Sequence, residues 1–153
     1  MNSRYMYDIV TVTVNFKMRD KILEMLRSLF RDVQDSGLIV QPVIIDNDRA
    51  EGLKEALEKE FKVIDHNAPQ PPLNLRGGES GVIYIDAGAN VGFAHGNNLG
   101  LKQFDAKYYF VANPDLVFLE SQPRTIERMY RFMEEHPKVG IVASRLELPN
   151  GET

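Results

Sequence analysis

Apolar and β-branched residues run unbroken from Ile9 to Val14, a pattern that fits a strand buried on both faces of a parallel sheet. The period then changes. Ile22, Met25, Leu26, Leu29, Phe30 and Val33 recur at three- and four-residue spacing, which predicts a helix with one buried face, capped by Asp20 and ended by Gly37. Val40 to Asp46 predicts a second strand, Leu53, Ala56 and Leu57 a short helix, and Phe61 to Ile64 a short third strand. Val82 to Asp86 reads as a strand, followed by a glycine-rich turn and a helix from Phe93 toward Phe104; Lys107 to Ala112 is the next strand. Ser121 can cap a helix whose buried face carries Ile126, Met129, Tyr130 and Met133, and Val139 to Ala143 predicts a last strand. Strands alternating with helices in this way predict an α/β fold, a mostly parallel sheet between helical layers.

Two stretches resist regular structure. Ala68-Pro69-Gln70-Pro71-Pro72 and Gly77-Gly78 fall in a segment, 66–81, that is expected to form a flexible surface loop. Asn150-Gly151 is a hairpin-turn signal with no returning strand after it, so the domain is expected to be truncated at its C-terminus. With 153 residues and 43% hydrophobic content the chain can bury one core, which predicts a single domain over 1–153. A net charge of −4, spread along the chain, offers no footprint for nucleic acid. The absence of cysteine removes disulfides and thiolate metal sites and points to a cytoplasmic setting. No apolar run approaches the roughly 20 residues that span a bilayer.

In an open parallel sheet, ligands bind beyond the carboxyl ends of the strands, so polar residues just past each strand are the candidates. They are Thr13 and Asn15; Asp46, Asn47 and Asp48; the stretch from Asp86 to Asn98; and Asn113-Pro114-Asp115. Any one of them alone is more often a turn or cap residue than a ligand contact. Of the three histidines, His95 stands at a helix start with no partner nearby, and His66 and His136 sit in loop and helix-end settings that favour solvent.

Taken in order, these segments resemble the family 2 glycosyltransferases, and in particular their rhamnosyltransferase-like members. Val12-Thr13-Val14-Asn15 looks like that family's opening strand, and Val43-Ile44-Ile45-Asp46-Asn47-Asp48 like its second strand. Asn90-Val91-Gly92-Phe93-Ala94-His95-Gly96-Asn97-Asn98-Leu99-Gly100 resembles its most recognisable stretch, and Asn113-Pro114-Asp115 its metal motif. The segment from Val139-Gly140 through Asn150-Gly151 resembles the family's next segment along the chain.

The resemblance implies a GT-A type fold, a Rossmann-like three-layer α/β/α sandwich, forming the N-terminal, nucleotide-sugar-binding part of an inverting enzyme. It implies that Thr13, Asn15, Asp46, Asn47, Asn90, Gly92, Phe93, Asn97, Asn113 and Asp115 face the donor. Asp46 would accept the imide N–H of uracil or thymine, and Gly92 and Gly96 would let backbone approach the donor. Asp115 would hold Mg²⁺ or Mn²⁺ against the diphosphate, a role that suits a hard cation taking phosphate and water oxygens as its other ligands. Family members often carry two acids in that motif, whereas here Asn113 replaces the first and is left with a water-mediated contact. The implied donor is dTDP-L-rhamnose or a UDP-sugar, and the implied acceptor a cell-surface glycan or lipid-linked molecule, which places the enzyme peripherally at the inner membrane face. The general base and acceptor site are expected beyond Thr153, so the chain alone is expected to transfer sugar poorly.

Two rival classes compete. Ile83-Tyr84-Ile85-Asp86-Ala87-Gly88-Ala89-Asn90-Val91-Gly92-Phe93 also looks like the first motif of class I S-adenosylmethionine-dependent methyltransferases, but the next strand ends in Val111-Ala112-Asn113, without the acid that would hold a ribose. The other rival is a non-catalytic nucleotide-binding or scaffold domain.

Overall fold

A computed structural model describes residues 5–49, 52–66, 81–148 and 151–152. Nearly all of the expected loop 66–81 therefore lies outside the described residues, as do Pro149 and Asn150 of the terminal turn signal. The elements are β1 Tyr7–Asn15, α1 Arg19–Val33, β2 Val40–Asp46, α2 Leu53–Glu58, β3 Lys62–Asp65, β4 Gly81–Asp86, α3 Phe93–Leu101, β5 Ala106–Val111 and α4 Thr125–Glu135. All five strands form one sheet in the order β3-β4-β2-β1-β5. Every pairing in it is parallel, so all the strand ends point to one edge.

The unbroken apolar run of β1 is explained by cover on both sides. Val10, Val12 and Val14 face a cluster that includes Val43, Ile45, Ile83 and Ile85, with Leu99 and Leu101 of α3 packed over it. Ile9 faces the opposite cluster, in which Ile22, Leu26 and Leu29 of α1, Leu53 and Leu57 of α2 and Ile126 of α4 meet Ile44, Val82 and Tyr84. Three layers result, with α3 the one helix on its face among the described residues. That helix lies close to the sheet because it carries glycine on its inner side: a Cβ on Gly100 would sit 2.6 Å from Val12 Cγ1, and one on Gly96 2.9 Å from Val14 Cγ2. Gly96 and Gly100 are thus required by the packing of α3 on the sheet.

Three boundaries also differ from those expected. No strand is formed at Val139 to Ala143; residues 139–148 are described without regular structure, and Ile141 is 90% exposed. A strand exists only through a partner's hydrogen bonds, and among the described residues nothing pairs with this segment or with the outer edge of β5. Instead, Gly140, Ile141 and Val142 border a groove of about 350 Å³ beside β5 and α4. The second difference is the start of α4. Ser121 does not cap it; Asp32, reaching across from α1, accepts hydrogen bonds from Thr125 N at 2.8 Å and Ile126 N at 2.9 Å. Finally, α3 ends at Leu101, and Phe104 turns aside to set its ring against those of Tyr7 and His66.

Candidate functional site

The strand registers bring three polar residues into one row at the carboxyl edge, Asn15 beside Asp46 and Asp46 beside Asp86. Alternation along each strand puts Asn15, Asp46 and Tyr84 on the face covered by α1 and α2. There they form one network. Asn15 Nδ2 donates to Asp46 Oδ1 at 2.8 Å, the Asp48 backbone N–H donates to the same oxygen at 3.0 Å, and the Tyr84 hydroxyl donates to Asp46 Oδ2 at 2.7 Å. Asn15 Oδ1 in turn accepts the Met18 N–H at 3.1 Å, which fixes the turn into α1. Asn15 is fully buried and Asp46 only 2% exposed, so both oxygens of this carboxylate are engaged from within the protein. Burial, then the hydrogen bond to Asp46, pushes the Tyr84 phenol well above its ordinary range.

Asn47 lies one residue further on and is handled differently. Its Nδ2 faces two acceptors, Asn90 Oδ1 at 3.4 Å and Gly92 O at 3.5 Å, while Asn90 Oδ1 also accepts the Gly92 N–H at 3.0 Å. These contacts tie the end of β2 to the turn entering α3. Gly92 has φ +81°, a left-handed value that glycine adopts without strain, and the turn depends on it. Asn47 Oδ1 is buried without a hydrogen-bond partner, as are Thr13 Oγ1 and Asn97 Oδ1. Asn97 uses its Nδ2 on Phe93 O at 3.0 Å. A buried acceptor left unsatisfied costs about 1–3 kcal/mol, so such atoms are uncommon except where something else is bound.

Asp86, at the end of the row, is held by Arg49 through two contacts, Nε to Oδ1 at 2.9 Å and Nη2 to Oδ2 at 2.7 Å, and it also accepts the Gly88 N–H at 2.7 Å. The Arg49 guanidinium holds the Asp86 carboxyl below its ordinary range. Across the edge, β5 pairs with β1 as far as Val111 beside Val12, and the chain then turns, Asn113 O accepting the Leu116 N–H at 3.2 Å. Asn113 and Asp115 are both exposed on this turn.

The candidates therefore separate by depth. Thr13, Asn15 and Asp46 are sealed in the sheet edge; Asn47 and Asn97 lie just beneath the surface; Asn90, Gly92, Phe93, Asn113 and Asp115 are exposed. His66, His95 and His136 are exposed, and the His136 ring stacks on Phe132. Among the described residues no cluster of three or more His, Cys, Asp or Glu side chains could hold a metal by protein ligands alone. An exposed carboxylate such as Asp115 fits instead a hard cation whose remaining ligands are phosphate and water oxygens. Sequence inspection missed Tyr84 and Arg49 as members of the edge and left Asp86 without a role of its own. Tyr84 was open to discovery, since it stands two residues before Asp86 on one strand and so shares its face.

A covered parallel sheet with its polar strand ends gathered along one edge, and a glycine-turned helix rising from that edge, defines a Rossmann-like α/β domain of the GT-A type. The match that assigns it further runs over residues 8–152, to the family model described as glycosyl transferase family 2. The chain belongs to that family. No curated protein matches the sequence. Among solved structures it is similar to S. aureus TarS 1-349, at 18% identity and a TM-score of 0.59, over 85% of this chain and 33% of that one. The same values hold for TarS 1-349 in complex with UDP. For S. aureus TarS itself, identity is 17% and the TM-score 0.56, over 85% of this chain and 20% of that one. At these identities the likeness shows the fold, and the chain spans about a third of the length of the TarS 1-349 chain.

The β4 turn does not have the layout a methyltransferase motif needs. In the doubly wound order the strand after the first glycine turn lies next to it, whereas here β2 and β1 separate β4 from β5.

Proposed function

We propose that the carboxyl edge of the sheet binds a nucleoside-diphosphate sugar and presents it for transfer to an acceptor hydroxyl, with inversion at the anomeric carbon. The observation that carries this reading is the single hydrogen-bonded edge formed by Asn15, Asp46, Asn47, Asn90 and Gly92. Membership of family 2 supports it, as does the UDP complex of TarS, the protein of similar fold.

Each residue then has a task. Asn15, Asp46 and Tyr84 hold the strand ends rigid, so that the residues above them need little reorganisation when a ligand binds. Asn90, Gly92 and Phe93 form the turn and first residue of α3, whose leading N–H groups lack intrahelical partners and are suited to phosphate oxygens. Asp115 would hold Mg²⁺ or Mn²⁺, which when bound neutralises charge on the leaving diphosphate, and Asn113 beside it would hydrogen-bond a water of that shell. The acceptor must lose its proton to a base as it attacks, and no described residue at this edge is placed in that role. The donor we favour is dTDP-L-rhamnose, with UDP-sugars as the other class; the acceptor is a cell-surface glycan or a lipid-linked molecule, met peripherally at the inner membrane face. No helix among the described residues is long and apolar enough to cross a membrane.

Calorimetry with dTDP, UDP, GDP and S-adenosylmethionine, each with and without Mg²⁺ and Mn²⁺, tests class and donor together. Metal-dependent binding of dTDP or UDP is expected. Binding of S-adenosylmethionine without any nucleotide would sink the proposal. Asp115→Asn should abolish the metal dependence and leave thermal unfolding unchanged, and an unaltered metal response would remove Asp115 from that role.

A further inference from the structure

The two outer edges of the sheet are defended differently. β3 is only four residues long, carries Lys62 and Asp65, and follows closely on Glu58, Lys59 and Glu60, so charge guards it. β5 runs for six residues and carries a single charge, that of Lys107, which Glu134 of α4 neutralises. The Ala112 N–H donates to Val12 O at 3.0 Å, so alternation along β5 turns the N–H and C=O of Tyr109 and Val111 away from β1. Among the described residues those outward groups have no hydrogen-bond partner. The edge is also apolar on both faces. Tyr109 and Val111, in register with Val10 and Val12, are 44% and 46% exposed. On the other face, Tyr108 and Phe110 border the groove walled by Met129, Tyr130, Met133 and Ile141. An exposed apolar edge without a guarding charge is a template for another strand.

We infer that the occupant of this edge is a second copy of the chain, its β5 lying antiparallel to the first across a two-fold axis at Phe110. That register sets Tyr109 opposite the partner's Val111 and Val111 opposite the partner's Tyr109, so every outward N–H meets an outward C=O. Alternation then places Phe110 against the partner's Phe110 on the groove side and the Tyr109–Val111 pairs on the other, apolar against apolar throughout. Charge favours a copy as the occupant: with Lys107 held by Glu134 the edge has no net charge to repel its like, and a two-fold interface need only complement itself. A stable interface needs about 800 Å² from each partner, more than one strand supplies. The groove and the exposed Ile141 beside it extend the apolar surface that the second copy covers. Two five-stranded sheets thus become one. Because the paired strands run in opposite directions, the two carboxyl edges open to opposite sides and neither blocks the other.

Size-exclusion chromatography with light scattering tests this on the 153-residue chain. A dilution series starting from about 100 µM should show a dimer that dissociates as the concentration falls. Hydrogen exchange locates the contact: the Tyr109 and Val111 amides should gain protection as the concentration rises, whereas the Ala112 amide, bonded to Val12, should be protected throughout. Val111→Pro removes an outward N–H and leaves the bonds to β1 in place, so it should be monomeric. Val111→Thr keeps that N–H and should still dimerise; thermal melts check that both variants are folded. A wild-type chain that stays monomeric at the highest concentration overturns the inference, and the edge then belongs to a different strand or to solvent. A dimer in which the Tyr109 and Val111 amides gain no protection also overturns it, as does a dimer that persists in folded Val111→Pro or is lost in folded Val111→Thr. The exchange measurement needs wild type alone, so it decides the matter even where the proline variant fails to fold.

Discussion

Removing the Tyr84 hydroxyl probes the buried network most directly. In Tyr84→Phe the ring stays in the core, where Tyr84 is 6% exposed, and only the donor 2.7 Å from Asp46 Oδ2 is lost. The carboxylate keeps Asn15 and the Asp48 N–H on its other oxygen, but it loses the hydroxyl's donation while still only 2% exposed. Hydrogen bonds to charged groups contribute about 1.5–3 kcal/mol, so a loss of about 2 kcal/mol is expected, which in a domain of this size lowers Tm by roughly 4–8 °C. Urea titration and thermal melts followed by circular dichroism at neutral pH measure it. The pH dependence adds a second readout. Because the folded phenol titrates above its ordinary value of 10.0, the unfolded chain gives up that proton first, so the contribution is complete below pH 10.0 and is lost as the pH rises above it. Wild type should therefore lose more stability in that alkaline range than Tyr84→Phe. A change smaller than about 0.5 kcal/mol at neutral pH, together with parallel alkaline profiles, would show that Asp46 does not depend on Tyr84.

The packing and charge of the fold lead to three further outcomes. Asp32→Ala leaves the Thr125 and Ile126 N–H groups uncapped and should cost about 2 kcal/mol in urea unfolding, with Asp32→Asn recovering part of it. Gly100→Ala forces a Cβ to within 2.6 Å of Val12 Cγ1 and should cost about 1–3 kcal/mol, whereas Ala at exposed Gly140, where a Cβ meets nothing, should cost far less. Arg49→Gln should let the Asp86 carboxyl titrate closer to its ordinary value of 3.8, seen by NMR titration; since the lowered folded value favours the folded state above that pH and is lost on acidification, the variant's stability should fall less steeply in acid.

The layering was legible because it stems from periodicity. The continuous apolar run of β1 needs cover on both faces, and the spacing of Ile22, Met25, Leu26 and Leu29 needs one. Val40 to Asp46 was located to the residue, since a polar turn bounds it. What escaped was non-local. The Asp32 cap on α4 joins residues more than 90 positions apart, and nothing in the sequence near Ser121 announces it. Val139 to Ala143 has the composition of a strand, but composition cannot supply a partner. The packing need for glycine at position 96 comes from its distance to Val14, which no motif contains.

Along the edge, the same limit separates charge from access. A strand-end aspartate is the obvious contact for a ligand in sequence, since it carries the charge. In the folded chain that charge sits where water cannot reach, and a buried carboxylate must collect donors to exist there. Asp46 collects them from Asn15, Asp48 and Tyr84, drawing on β1, its own turn and β4, so its charge knits the strand ends together. Asn47 carries no charge, so leaving its Oδ1 without a donor costs less than an unpaired carboxylate oxygen would. The strand end thus divides its polar contacts between two adjacent residues, the charged one spent inward and the neutral one tied through its Nδ2 to the turn that leads into α3.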